Sequence, residues 1–343
     1  MISILPSDAH PYPLPNDKAV NSMRYQQSVI IVLVLLIGGL LSPLTPARAE
    51  EGWPRTLTQA EGALTLSRRP ERIVSTSPSL TGILLGIGVP VAASAATTPS
   101  VLTDDKGFFS QWASVADARG TRVLYPALRF DIEAVIRWKP DLVIVSATGA
   151  DSAKQHYAAL TGLGIPTLVV DYSSRSWEDI AVELGRATGH EEGAAKAIKD
   201  LDDYARSQAA RITVPAGPVS IVGYNIGGSY SVGRPQSPQA KLLEMLGFKV
   251  AGLPESLRPQ VTRSSDFDFI SHENLPAAIA GESVFLLRGS EGDVKSFLAD
   301  PVLANRPAVM NHRVFALGPS SFRIDCYSGR QMIDTVVSAF AKQ

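Results

Sequence analysis

From Arg72 onward, short apolar runs alternate with amphipathic stretches. Arg72–Ser75 (RIVS) reads as a β-branched strand that opens into the loop Thr76-Ser77-Pro78-Ser79. Leu80–Leu85 reads as a helix stopped by Gly86 and Gly88, with Val89–Ala93 as the next strand. Asp131–Trp138 is a helix closed by Lys139-Pro140, Asp141–Ser146 (DLVIVS) a strand, Ser152–Leu163 a helix and Pro166–Val170 (PTLVV) a strand. Apolar runs without alternation suit strands covered on both faces. Strands separated by helices build βαβ units and a mostly parallel sheet.

His190–Ile212 breaks this rhythm. Ala194, Ile198, Leu201, Ala205 and Ile212 keep helical spacing, and no Gly or Pro follows Gly193. The pattern predicts one amphipathic helix of about 20 residues, ~30 Å long. After the break Pro215-Ala216-Gly217-Pro218 the alternation resumes. It gives strand Val219–Tyr224, helix Gln239–Leu246, a strand at Val250 and helix His272–Ala280. Strand Ser283–Leu287, helix Val294–Ala299, strand Arg313–Leu317 and helix Ser328–Phe340 complete it. The expected class is α/β, with an N-terminal lobe over 50–189, a connecting helix over 190–214 and a C-terminal lobe over 215–343. A rigid connecting helix restricts the lobes to small rocking motions.

The long apolar run Val29–Leu41 has thirteen residues, short of the ~20 that a membrane span needs. Arg24 precedes it and Ala47-Arg48-Ala49 follows. A positive flank, a short apolar segment and an A-x-A ending describe a secretory signal peptide, with cleavage expected after Ala49. Met23 offers a more compact start than Met1. No cysteine stands just after the apolar run, so no lipid anchor is expected, and the mature chain is expected in the periplasm.

The 343 residues carry a formal net charge of -1, which argues against a general nucleic-acid binder. Cys326 is the sole cysteine. An internal disulfide or a Cys-rich metal site is therefore excluded, and Cys326 itself reads as a small packing residue. The five histidines show no metal-binding spacing. No G-x-S-x-G elbow or phosphate-binding loop occurs, and Gly86-Ile87-Gly88 lies at a helix end without the third glycine of a dinucleotide site. These absences favour binding over catalysis.

Several segments are similar to the ferric siderophore-binding periplasmic proteins. They are RIVSTSPSLTG (72–82), Ala96-Thr97-Thr98-Pro99, Gln111-Trp112, Lys139-Pro140-Asp141-Leu142 and IVSATG (144–149) with Asp151-Ser152-Ala153. Gly185 to Glu191, LEMLGF (243–248) and FRIDCYS (322–328) extend the likeness over the mature chain, with Cys326 where a relative carries Tyr. The resemblance implies two Rossmann-like lobes joined by a long helix, no catalysis and no resident cofactor. It also implies a ferric chelate held between the lobes and delivered to an inner-membrane ABC permease dimer by a monomeric protein. A catecholate of the ferric enterobactin type fits best. Haem, cobalamin, or a hydroxamate or citrate chelate is the alternative on the same fold, with Tyr125, Tyr224 or Tyr230 as a haem ligand. An exported hydrolase is the remote one.

A ferric tris-catecholate supplies the iron's oxygen ligands itself, so no metal-ligating residue is expected of the protein. Arginines suit such a bulky, aromatic, anionic object because they are always charged, planar and able to stack. Ligands sit beyond the carboxyl ends of parallel strands. The expected contacts are therefore Arg323, Arg288, Arg263 and Arg234, with Tyr230 or Tyr224 for stacking. The N-terminal lobe offers Trp112 and Arg129. An ion pair with Asp325 is the other reading of Arg323, and packing the other reading of Trp112. Ser75 to Ser79 either donate to a ligand or merely cap a helix. Glu133 and Glu273 stand in equivalent first-turn places. The resemblance makes them docking points for permease arginines, while favourable interaction with the helix dipole also explains them.

Overall fold

The structure, a computed structural model, describes residues 52–173, 175–263 and 266–342. The expected export signal, residues 1–49, lies outside them. A hairpin of β1 (Arg55–Gln59) and β2 (Gly62–Leu66) precedes the first sheet. That sheet comprises β3 (Ile73–Ser75), β4 (Val91–Ser94), β5 (Arg122–Val123), β6 (Leu142–Ser146) and β7 (Thr167–Val170). Its order is β5-β4-β3-β6-β7 and every pairing is parallel. β6 and β7 are buried at each position, as their unbroken apolar runs require.

The second sheet is mixed, unlike the simple alternation read from the sequence. It contains β8 (Val219–Ile226), β9 (Ser229–Gly233), β10 (Thr262–Arg263), β11 (Phe267–Ile270), β12 (Ser283–Leu286) and β13 (Val314–Ala316). The order is β10-β11-β9-β8-β12-β13. β8, β12 and β13 are parallel, while β9, β11 and β10 add by antiparallel pairing. The cause is the tight turn at the end of β8, where Asn225, Gly227 and Gly228 all take left-handed backbone. It sends the chain straight back as β9. Val250 makes only an isolated bridge to Val219.

Helix boundaries depart from expectation for local reasons. Trp177–Thr188 is a helix that the sequence pattern left unread, closed by left-handed Gly189. The long helix then runs Glu191–Ala209 and stops before Ile212. Beyond it the chain pairs with its own C-terminus, through the Ile212–Ala341 bridge and the Thr213 amide donating to Phe340 O. The expected helix over 272–280 is a single turn, Leu275–Ala278, because Pro276 is tolerated only in a first turn. Residues 152–163 divide into a 3₁₀ turn, Lys154–His156, and the helix Tyr157–Gly162.

One apolar core runs beneath both sheets. It joins Leu80 and Leu84 of helix Pro78–Gly86, Leu184 of Trp177–Thr188, Leu201 of the long helix, Leu243 of Pro238–Met245 and Met332 of Cys326–Phe340. Two further clusters fill the other faces, around Val74 and Val143 in the first sheet and Val284 and Phe297 in the second. The C-terminal helix packs on the long helix and also on Pro78–Gly86. That last contact is close. A Cβ at Gly82 would stand 2.3 Å from Asp325 Oδ2 and 2.8 Å from Trp112 Cδ1, and one at Gly86 2.4 Å from Cys326 Sγ.

Gly82→Ala is therefore expected to lower the unfolding free energy by about 1–3 kcal/mol through overpacking. Gly162→Ala, with nothing within 4 Å of the added carbon, should leave it unchanged or raise it by up to ~1 kcal/mol. Equal melting temperatures for the two variants would refute the close seam.

Candidate ligand-binding site

The carboxyl ends of β8 and β12 open onto a cavity of ≈ 480 Å³. Tyr224, Asn225 and Arg288 line it from the second lobe, and Val101 and Leu102 face them from the loop after β4. Two of these residues take left-handed backbone, Asn225 at φ 50, which asparagine tolerates, and Arg288 at φ 56. Left-handed geometry in a bulky residue is costly and persists where surroundings enforce it. At Arg288 the enforcing bond is its amide donating to Ser321 Oγ, 2.9 Å. The Arg288 guanidinium lies 5.9 Å from the Phe322 ring centroid.

Tyr224 is anchored behind the cavity. Its hydroxyl donates to Asp300 Oδ2 at 2.8 Å, and His272 Nε2 meets the same oxygen at 2.6 Å. Burial pushes the Asp300 carboxyl up, but the bonds from His272 and Tyr224 outweigh it and hold the group below its ordinary range. Burial first, then Asp300, raises the Tyr224 phenol, which stays protonated. Tyr230 stacks on His272 at 4.6 Å and meets Tyr224 edge-on at 5.6 Å. It lines a separate, shallow hollow beside β11.

Phe109 and Phe322 meet edge-on across the lobes at 5.2 Å. Beyond them Arg323 lies over the ring of Tyr172, 4.1 Å from its centroid. The Tyr172 hydroxyl donates to Asp151 Oδ1 at 2.6 Å, and the other Asp151 oxygen accepts from the Ser77 hydroxyl and the Ser79 amide. Burial and the Asp151 charge push the Tyr172 phenol up to about 12. Gly149 permits this frame: a Cβ there would stand 1.7 Å from the Tyr172 oxygen. The run around Gly149 and Asp151 thus has a structural explanation. Ser77 caps helix Pro78–Gly86 and is buried with Ser75 and Thr76, so capping accounts for this loop.

The signature residues after Phe322 divide their roles. Asp325 accepts the amides of Tyr327 and Ser328, each at 2.8 Å, in a capping box. It does not pair with Arg323. Cys326 packs on Gly86, and burial pushes its thiol up to about 12, the property of an unreactive packing cysteine.

Trp112 is corrected. It sits within helix Ser110–Ala118, fully buried against Phe108 and Phe109, and presents no surface to a ligand. Its polar neighbours in sequence suggested a loop, but Phe108, Phe109 and Ala113 surround it with apolar surface. Arg234 lines another cavity, ≈ 440 Å³, with Lys241 and Arg175 and the acids Asp179 and Asp266. Arg129 is exposed, after left-handed Ala127 and Leu128, and borders none of these cavities. Arg263 stands on β10, with its side chain outside the described residues. Glu133 is exposed in the first turn of Ile132–Trp138. Glu273 is also exposed but lies in the turn before Leu275–Ala278, so the two places are not equivalent. Val101, Leu102 and Tyr172 escaped the sequence reading. Only the position of Tyr172, two residues beyond an apolar strand, hinted at its place.

No group of three or more His, Cys, Asp or Glu among the described residues has the arrangement of a metal site. Nor does any described helix have the length and apolarity to cross a membrane. Residues 73–320 match the profile of the periplasmic binding proteins. The chain belongs to that family. This binding protein is 41% identical over 311 residues to the ferric enterobactin-binding periplasmic protein FepB of Escherichia coli O6:H1 (strain CFT073), covering 90% of this chain and 97% of the relative. Among solved structures it is similar to holo-ViuP, at 36% identity and a TM-score of 0.77 over 84% of this chain and 96% of the other. Streptococcus pneumoniae PiaA, crystallised with ferrichrome, shares the fold at 19% identity and a TM-score of 0.66, over 82% and 96% of the two chains. The family's members bind rather than catalyse.

Asp325 gives this region a pH signature. Burial raises its carboxyl to about 6, against the pull of the two amides, whereas an unfolded Asp titrates near ~3.9. The native state therefore holds this proton more tightly. The stabilisation is full below about pH 4 and is lost as pH rises through about 6. The melting temperature of Asp325→Asn relative to the unmodified chain is expected to climb between about pH 4 and pH 7. A difference that stays flat would remove Asp325 as the titrating group.

Proposed function

We propose that the protein captures a ferric catecholate siderophore of the enterobactin type between its lobes and delivers it to an inner-membrane ABC permease. The similarity to FepB along nearly the whole chain carries this reading. The cavity supports it. Arg288 supplies a fixed positive charge beside Phe322, Tyr224 an aromatic wall, and Val101 and Leu102 an apolar rim opposite. Such a cavity suits a rigid anion with aromatic faces. The iron arrives with its own oxygen ligands, so the protein's contribution is charge, stacking and shape.

The same reading divides the chain into an export signal ending at Ala49, lobes over 50–189 and 215–343, and a connecting segment over 190–214. Arg288 and Tyr224 are the proposed ligand contacts. Arg323 acts as a latch between the lobes through Tyr172. The exposed carboxylates Glu133 and Glu273 are the proposed permease contacts, where charge sets orientation and encounter rate more than affinity.

Tryptophan fluorescence of the mature chain, titrated in parallel with ferric enterobactin, ferrichrome and haemin, tests the cargo. Saturation by ferric enterobactin well before the others is expected; tighter binding of ferrichrome or haemin would overturn the catecholate reading. Arg288→Gly keeps the left-handed backbone comfortable and removes a charged contact of about 1.5–3 kcal/mol. Affinity should fall by roughly one to two orders of magnitude with folding intact. The double variant Glu133→Ala, Glu273→Ala should bind cargo normally and fail to support import in cells. Normal import would sink the docking assignment.

A further inference from the structure

Between the cavities of Arg288 and Arg234 the lobes close around a small chamber of ≈ 20 Å³. Trp177 and Tyr172 line it from the first lobe, and Gln239, Asp266 and Arg323 from the second. Trp177 is 3% exposed and Gln239 2% exposed. Three buried polar atoms of this lining have no hydrogen-bond partner among the described residues: Trp177 Nε1, Arg323 Nε and Gln239 Oε1. Leaving such groups unpaired forfeits their hydration without replacement, and native interiors rarely tolerate it.

The chemistry of the three is complementary. Trp177 Nε1–H and Arg323 Nε–H are donors with no accepting capacity, and Gln239 Oε1 is an acceptor. The orientation of the Gln239 amide is set by its nitrogen, which donates to Ser321 O at 2.8 Å. A water molecule accepts two hydrogen bonds and donates two, and needs a space of roughly 10–15 Å³ or more. An anion would meet Gln239 Oε1 and the Asp266 carboxylate as repulsive neighbours.

We propose that this chamber is a binding site for a single water, shared by the two lobes, which accepts from Trp177 and Arg323 and donates to Gln239. The water fixes the Arg323 guanidinium from its edge while Tyr172 supports its face. The contact between the lobes is then a hydrated joint, in which the Nε of Arg323 reaches Trp177 and Gln239 through solvent rather than through an acid. It is separate from the cargo reading, since a chamber of ≈ 20 Å³ matches the space one water needs.

A crystal structure of the mature chain that shows ordered solvent tests this directly. One water is expected within about 2.7–3.2 Å of all three atoms. A dry chamber, or the three atoms paired directly with protein groups, would overturn the assignment. So would loss of the water when ferric enterobactin is bound, because the chamber would then belong to the cargo site. In solution, magnetisation transfer from a bound water to the Trp177 indole N–H, assigned through its loss in Trp177→Phe, should be present. It should drop several-fold in Gln239→Met, which removes the acceptor and fills the space. Transfer that is absent at the start, or unchanged in a folded Gln239→Met, counts against the water. Where Gln239→Met does not fold, the crystal structure of the unmodified chain decides.

Discussion

The two lobes rest on one apolar core, and the geometry of the cleft follows from that. Helices Pro78–Gly86, Trp177–Thr188, Glu191–Ala209, Pro238–Met245 and Cys326–Phe340 contribute to the same cluster. Parting the lobes widely would expose this shared interior, and hydrophobic burial of such extent dominates folding energetics. The cleft residues therefore sit on a base that moves as one body. The long helix alone would not achieve this. The C-terminal helix makes the union, because it crosses from the second lobe to lie against helices of the first.

That crossing depends on small residues. Gly82 and Gly86 lie one helical turn apart and face Asp325 and Cys326 directly. At Gly193 an added Cβ would stand 2.0 Å from Ile87 O, so the start of the long helix also abuts the first lobe's backbone. The lobes are thus fitted at close range on one side, while the opposite side remains open around Arg288 and Arg234. Two of the left-handed non-glycine residues, Asn225 and Arg288, lie on that open side, where loops leave adjacent strands.

The parallel sheet of the first lobe was plainly legible, since buried strands such as DLVIVS and PTLVV announce themselves through continuous apolar runs. The antiparallel strands of the second lobe were not. β9 and β11 are short and partly exposed, so they lack both an unbroken apolar run and a clear alternation. Helix Trp177–Thr188 went unread, although Gly185 packs within it against Ala194. Motif resemblance located the family but not the surroundings of each residue. Trp112 belongs to the core, and within FRIDCYS Asp325 caps a helix while Arg323 lies over Tyr172. What a motif cannot convey is which side of its loop faces the gap; that is settled by distant partners such as Tyr172 and Ser321.

The pairs Phe109–Phe322 and Arg323–Tyr172 stand across the middle of the gap. They act as a partition, leaving a berth on each flank rather than a through-passage. A molecule moored against Arg288 meets a wall behind it and the rim of Val101, itself 90% exposed, in front. On the proposed reading, such a berth selects by the half of the cargo that faces inward and tolerates substituents on the other.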